Sequence, residues 1–417
     1  MARLGAQLGR GRVLITGTNG KTTTSRLLAS MLYEAGLPFV HNREGSNLMR
    51  GIAASLIDAS SAGGSLAADG PELGLFEADE AAFPAAVRAL RPRVVAVTNL
   101  FRDQLDRYGE VDTVAAFWRE GLSELPAGTT LVLNADDPSV AELAAHWPGP
   151  VHWFGLEDPG FASDDAGAFD ARWCGLCGGS FQYEFRYYAH TGLWRCSGCG
   201  RARAVPATSA ANIDIGLTKA SFDVPGLGRV ELPVTGLYNV ANALAAIAVA
   251  TTLEVPSEAL LSGLGASRAA FGRQEAIQVD GRTLRLYLVK NPAGANQVLR
   301  LMSAVHGKHE VAFLLSDRLA DGQDVSWVWD VDFELLTPSL TRAWAGGTRA
   351  QEASLRLRYA GWPLAQSFPD PAALVDATLS APPSGADDIS FVASYTSMLA
   401  LRRELQRRGL THAPHLD

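Results

Sequence analysis

The residues that most restrict this chain lie near its start. Arg12–Thr16 reads as a short buried strand and Thr22–Ala35 as a helix stopped by Gly36. Between them runs Thr16-Gly17-Thr18-Asn19-Gly20-Lys21-Thr22-Thr23-Thr24. A glycine-rich loop that leaves a strand and opens a helix aims backbone N–H groups and a helix N-terminus at an anion. Gly17 and Gly20 let the backbone come close to it. Lys21 then meets the β- and γ-phosphates of a nucleotide, and the Thr22 hydroxyl ligates Mg²⁺. Thr18, Asn19, Gly20, Lys21, Thr22 and Thr23 are the candidate nucleotide contacts. The general form G-x-x-x-x-G-K-[ST] is not strictly met, because Ile15 stands at its first glycine. The competing account is a glycine-rich turn with a surface lysine, and it leaves the fit of strand, loop and helix unexplained.

The following residues extend the pattern. Leu73–Glu77, Val94–Thr98, Thr130–Asn134 and Val151–Phe154 read as strands, with helices at Ala82–Leu90, Val111–Glu124 and Ser139–His146. Such alternation builds an α/β fold with a mostly parallel sheet and helices on its faces. Residues 207–235 read as strands returning to this domain, Asn239–Leu253 as an alanine-rich helix, and Ser262–Arg273 as a linker. A second α/β unit follows, with strands at Leu284–Val289 and Val311–Leu315 around a helix at Ala293–Val305. Asp388–Ala393 and a helix at Tyr395–Gln406 close it. A chain of 417 residues exceeds what one core usually holds, so two units are expected.

Phe161–Val205 breaks the alternation and carries all four cysteines. Cys174-x-x-Cys177 and Cys196-x-x-Cys199 are separated by residues 178–195, a spacing that points to Zn²⁺. Four sulfur ligands make a closed, structural site, since a catalytic zinc keeps a position for water. Reducible disulfides are the alternative, and they do not suit a reducing compartment. No cysteine is left for a catalytic thiol.

The net charge of −8 gives no sign of a nucleic-acid binder. No stretch is long and apolar enough for a transmembrane helix, and the N-terminus has no apolar signal-peptide core. The expected compartment is the cytoplasm.

Carboxylates follow two of the strands. Glu77, in Phe76-Glu77-Ala78-Asp79-Glu80, sits where a hard oxygen ligand reaches a metal beside the phosphate loop. Asp79 and Glu80 read equally well as solvated charges. Thr98-Asn99-Leu100-Phe101-Arg102-Asp103-Gln104-Leu105-Asp106-Arg107 places Asn99 and Asp103 to orient phosphate or metal. Asp106 and Arg107 also fit a surface ion pair.

These motifs together resemble the Mur ligases, and most closely the MurT synthetases. The loop GTNGKTT is the shorter form found in Mur ligases and folylpolyglutamate synthases. Thr98–Asp106 is similar to their T-N-x-x-x-D-H-L-D, with Gln104 in place of the histidine, so the second metal site does not strictly carry over. Gly236–Ala243 resembles G-x-x-N-x-x-N-x-x-A-A, which makes Asn239 the candidate for reading adenine through its amide. Phe271-Gly272-Arg273-Gln274-Glu275 is similar to the G-R-x-E at the junction of the domains, and Arg273 there steadies the transferring phosphoryl group. Lys290-Asn291-Pro292-Ala293-Gly294 and Asp317–Asp330, ending Asp324-Val325-Ser326-Trp327-Val328-Trp329-Asp330, look like MurT.

The resemblance implies a Mur ligase-like P-loop central domain over 1–267 with an inserted four-cysteine zinc ribbon at 161–205. A smaller Rossmann-like α/β C-terminal domain occupies 268–417, and the UDP-binding domain of the Mur ligases is expected to be absent. It implies a carbon–nitrogen ligase that uses ATP and Mg²⁺ to phosphorylate the α-carboxylate of D-glutamate in lipid II. Ammonia from a GatD-type glutamine amidotransferase partner in a heterodimer then gives D-isoglutamine. Lys21, Glu77 and Arg273 are its catalytic residues. Asp330 or Asp324, with Asp330 favoured, completes the partner's Cys–His pair. Trp327 and Trp329 fit either interface anchors or core. An amino-acid-adding Mur or folylpolyglutamate synthase type ligase is the rival enzyme, and a non-catalytic ATP-binding regulator is the rival of another class.

Overall fold

The structure is a computed structural model. It describes residues 1–417 except 43–45, 68, 104–110, 164–169, 217, 268–272, 306, 383, 387 and 412–417, and the side chains at 146, 273, 274 and 365. The chain divides into two compact units. The first holds Met1–Phe101 and Glu110–Arg268, the second Arg102–Gly109 and Ala269–Asp417.

The first unit is built on a sheet that has nine strands among the described residues. In chain order they are β1 (Gly11–Thr16), β2 (Phe39–His41), β3 (Leu73–Glu77), β4 (Val94–Val97), β5 (Thr130–Asn134), β6 (Val151–Leu156), β9 (Thr208–Ile215), β10 (Ala220–Val224) and β11 (Gly228–Leu232). Their spatial order is β11-β10-β9-β6-β5-β4-β1-β3-β2. From β2 to β9 every pairing is parallel. The last two strands return antiparallel. Every residue of β3 and β4 is buried, as a parallel strand covered on both faces must be. Side by side near the β2 end of the sheet, β4, β1 and β3 run parallel and direct the segments that follow them toward one edge, where ligands bind in open α/β sheets.

Two boundaries differ from expectation. The first part of the expected linker Ser262–Arg273 is helical: a helix spans Ser257–Ala266, the two units divide between Arg268 and Ala269, and a strand begins at Arg273. The small residues that suggest a linker serve close packing. A Cβ on Gly263 would lie 2.5 Å from Met31 Cα in the helix Lys21–Glu34, so only glycine lets the two helices approach so closely. Ser139–His146 forms a short α-helix, Pro138–Ala141, capped by Asp137, followed by a 3₁₀ turn, Glu142–His146.

The segment inserted between β6 and β9 carries a hairpin, β7 (Phe181–Tyr188) and β8 (Thr191–Cys196). Its own small core joins Cys174, Phe181, Trp194 and Cys196 to Ala141 of the main domain, with Trp153 packed against them.

The second unit holds a six-stranded sheet among the described residues. Its strands are β12 (Arg273–Val279), β13 (Arg282–Leu288), β14 (His309–Leu314), β15 (Leu340–Gly346), β16 (Leu364–Phe368) and β17 (Asp388–Ala393). They are ordered β12-β13-β17-β14-β15-β16. Only the β12–β13 edge is antiparallel. Apolar clusters cover both faces, one around Phe313, Phe333 and Trp362, the other around Phe391, Trp344 and Leu405. Among the described residues no helix is long and apolar enough to cross a membrane.

Candidate active site and metal centre

The phosphate loop is held by the segment that follows β4. Asn19 N–H donates to Asn99 Oδ1 (2.8 Å), while Asn99 Nδ2 and Thr98 Oγ1 donate to Asn19 O (3.0 and 2.7 Å). Thr18 N–H donates to Asn99 O at 3.0 Å. Phe101 N–H donates to Thr18 Oγ1 at 3.0 Å. Thr18 and Asn99 are thus both buried, and they shape the loop rather than line open solvent. Gly20 caps the helix Lys21–Glu34 with a left-handed backbone, φ 88°. A Cβ there would lie 1.9 Å from Asn242 Oδ1. Above this cap the first N–H groups of the helix have no partners within the helix, which is what an anion needs.

Lys21 is buried at the first turn. Its Nζ is 3.0 Å from Glu80 Oε2 and also donates to Gly17 O. Glu80 and Asp79 are both buried, which removes the reading of these two acids as solvated charges. Glu77 closes β3 and is buried, with its backbone N–H and C=O both bonded to the Asn42 side chain. Asn42 is a positioning residue that sequence reasoning missed, because nothing local links 42 to 77. Thr22, next to Lys21, is half-buried. Thr22 lies in the first turn of the helix that follows β1, and Glu77 ends the neighbouring parallel strand β3; a hydroxyl and a carboxylate are hard-oxygen donors of the kind that suit Mg²⁺.

Asn239 lies in the first turn of the helix Leu237–Thr252. Its Nδ2 donates to Thr235 O (2.8 Å) and its Oδ1 accepts from Asn242 Nδ2 (3.3 Å). Asn242 O in turn accepts from Thr24 Oγ1 at 3.4 Å. These bonds tie the helix to the phosphate loop, and each amide atom keeps capacity for one further bond.

The four cysteines converge: their sulfurs all lie within 4.8 Å of one another. A tetrahedral zinc with bonds of about 2.3 Å holds its sulfurs about 3.8 Å apart, so the set fits zinc. The two knuckles repeat one geometry. Gly178 N–H donates to Cys174 O and Gly200 N–H to Cys196 O. Gly178 and Gly200 have φ of 72° and 73°, which glycine adopts at least cost. Arg201 lies over the Trp194 ring and reaches Glu142, which also accepts from Gly175 N–H.

In the second unit, Asp324 Oδ1 accepts from Ser326 N–H at 2.8 Å and starts the 3₁₀ turn Ser326–Asp330. That hydrogen bonding to Ser326 holds its carboxyl below the usual range. Asp330 ends the turn with its side chain 49% exposed and 3.2 Å from Arg102 Nη2. Trp327 packs against the core, whereas Trp329 is 50% exposed and stacks edge-on against Tyr359 at 5.5 Å. Buried Arg356 holds this whole loop, donating to Val328 O, Val331 O and both Glu334 oxygens. Asp103 pairs with Lys290 at 2.5 Å within the same unit. The Arg273 side chain, Gln104, Asp106 and Arg107 lie outside the described residues.

Residues 15–171 match the family model "Mur ligase middle domain", and residues 288–398 match "MurT ligase C-terminal". The chain is 33% identical over 95% of its length to the MurT subunit of lipid II isoglutaminyl synthase (glutamine-hydrolyzing) of Streptococcus pneumoniae, covering 88% of that protein. It is 32% identical over 84% of its length to the MurT subunit of Staphylococcus aureus strain COL, covering 77% of it. Among solved structures, a pseudomurein peptide ligase type C from Methanothermus fervidus superposes with a TM-score of 0.75 at 21% identity, over 97% of this chain and 80% of that one. That likeness speaks to the fold.

Proposed function

Since the chain belongs to the MurT family of lipid II isoglutaminyl synthase subunits, we propose that it is the ATP-consuming half of a carbon–nitrogen ligase with glutamine as nitrogen donor. It amidates the α-carboxylate of D-glutamate in the lipid II stem peptide to D-isoglutamine. The observation that carries this reading is that the likeness spans 95% of the chain, with the phosphate loop inside the match to the Mur ligase middle domain and the Asp324–Asp330 turn inside the match to the MurT ligase C-terminal domain.

An oxygen of the substrate carboxylate attacks the γ-phosphorus of ATP, the bond to ADP breaks, and an acyl phosphate forms. Ammonia then adds to the acyl carbon, phosphate leaves with the C–O bond, and a proton passes from nitrogen to phosphate. Such chemistry needs position and charge neutralisation more than a protein nucleophile. Lys21 exchanges Gly17 O and Glu80 for phosphate oxygens, the N-terminal turn of its helix receives the remaining charge, and Arg273 steadies the transferring group. Thr22 and Glu77 are the residues that would hold Mg²⁺, which neutralises phosphate charge when bound. Asn239 reads the adenine edge with its remaining amide capacity.

The four cysteines are drawn together in the ribbon, so the glutaminase nucleophile belongs to a GatD-type partner in a heterodimer. Asp330, exposed beside Trp329, is the aspartate offered to that partner's Cys–His pair, and Asp324 shapes the turn that presents it. The zinc is structural, and the enzyme works in the cytoplasm, meeting lipid II at the membrane surface.

The test incubates the chain with ATP, Mg²⁺, lipid II and ammonium, with and without the partner plus glutamine, and weighs the product. Conversion of the D-glutamate acid to its amide, lost in Lys21→Ala, supports the reading. Addition of an amino acid instead would establish an amino-acid-adding ligase.

A further inference from the structure

The metal-binding insertion reaches the phosphate loop. The turn of its hairpin places His190 fully inside the protein, with Nε2 3.3 Å from Asp137 Oδ1. Asp137 is itself buried. Its Oδ1 accepts from Ser139 and Val140 N–H, and its Oδ2 accepts from Leu100 N–H at 2.8 Å. The same imidazole lies 4.8 Å, centroid to centroid, from the Phe101 ring, and Tyr188 approaches that ring at 6.1 Å. Leu100 and Phe101 are the residues next to Asn99, and Phe101 N–H is held by Thr18 Oγ1. A continuous path therefore runs from hairpin to loop: His190, then Asp137 and Phe101, then Leu100 and Thr18.

The hairpin cannot drift along this path. Trp194 Nε1 donates to Ala135 O at 3.0 Å, and Gly192 N–H donates to Asp136 O at 2.9 Å. Arg203, mostly buried, bonds Asp136 Oδ1 and Leu156 O, both at 2.7 Å. The hairpin is thus riveted to the residues just after β5, at the edge of the sheet where the loop after β4 emerges. A histidine sealed from water against a carboxylate is an expensive arrangement unless its partners are fixed. A small hydrophobic core could have been closed by an aliphatic side chain instead.

We infer that His190 is a positioning residue for nucleotide: through Asp137 and Phe101 the zinc ribbon braces the segment Thr98–Phe101, which shapes the phosphate loop. The inference rests on the reading of Gly17–Thr23 as the nucleotide loop. Ribbon integrity and nucleotide affinity are then coupled, although the cysteines touch no nucleotide. The ribbon's contribution is rigidity: Thr18 and Asn19 are presented in one conformation because the segment that bonds them is packed from behind.

The test compares wild type, His190→Ala and His190→Gln by calorimetric titration with a non-hydrolysable ATP analogue and Mg²⁺, with zinc content measured on the same samples. The expected result is a Kd raised about tenfold in His190→Ala at unchanged zinc content, with part of the loss restored in His190→Gln, whose amide keeps a polar group facing Asp137. In the amidation assay the KM for ATP rises and the KM for lipid II does not. Hydrogen–deuterium exchange on wild type needs no substitution: chelation of zinc should speed exchange at 98–101 and 17–21 while leaving the second unit's β14 protected. Equal ATP-analogue affinity in wild type and His190→Ala, or unchanged exchange at 98–101 after zinc removal, overturns the inference. No binding by wild type overturns the nucleotide reading itself and is distinguished by that control.

Discussion

Lys21 Nζ lies 3.0 Å from Glu80 Oε2, with both side chains buried. The lysine of the phosphate loop is therefore neutralised from within before any phosphate arrives. Taking one charge away leaves the other stranded in a poorly hydrated site, which costs about 3–5 kcal/mol. Lys21→Met should lower the unfolding free energy by about that much, and Lys21→Met/Glu80→Gln should recover most of it while amide formation stays absent. Urea denaturation and the mass-spectrometric assay measure the two effects separately. A double variant as unstable as the single one would mean the pair contributes nothing beyond packing.

The contact between Gly20 and Asn242 sets a second expectation. Gly20→Ala forces a side chain onto a left-handed backbone and into the Asn242 amide. It should cost about 1–3 kcal/mol of stability and abolish ATP-analogue binding. Gly36→Ala is the control, since φ is +65° there but nothing lies within 4 Å of the new Cβ. It should cost about 1–2 kcal/mol and leave the nucleotide affinity of wild type. Loss of binding in both variants would trace the effect to general instability.

Thiol chemistry reports on the metal. Cys177 and Cys199 are exposed, so as free thiols they would react with a disulfide reagent at once. Bound to zinc they are masked. The native chain should show almost no fast thiol reaction, and a chelator should release one zinc and four reactive thiols, the whole cysteine content of the chain. Cys174→Ser should lose the metal and unfold the insertion first. Fast reaction at two thiols without chelator would exclude a resident metal.

Glu404 gives the second unit an acid-sensitive contact. Arg407, then Arg408, hold its carboxyl down at about 2, from 4.5. A depressed carboxyl stabilises the fold fully above its unfolded value and loses that contribution as pH falls toward its folded one. The stability advantage of wild type over Glu404→Gln should therefore be constant above pH 4.5 and shrink between 4.5 and about 2. Urea titrations at pH 7, 4.5 and 3 measure it. A gap that does not change with pH would assign Glu404 a packing role alone.

What the amino-acid order determined by itself is local. The strand, glycine loop and helix from Gly11 to Glu34, the exact strands Leu73–Glu77, Thr130–Asn134 and Asp388–Ala393, and the two cysteine knuckles each lie in a short run of residues. Periodicity, turn chemistry and ligand spacing act there at close range. The strands β15 and β16 and the helices Ala350–Tyr359 and Pro371–Leu379 carry weaker patterns and were not legible, and with them went Arg356, which holds the Asp324–Asp330 turn. Small residues around Gly263 read as a linker because composition cannot tell a loose chain from a tight helix contact. Only tertiary structure decided that Glu80 neutralises Lys21, that Asn42 grips Glu77, that Asn242 stands over Gly20, and that His190 reaches Asp137. In each case crossover connections bring together residues between 35 and 222 positions apart. Burial then selects which polar groups must meet, because an unpaired charge or amide inside a protein costs more than the order of the chain reveals.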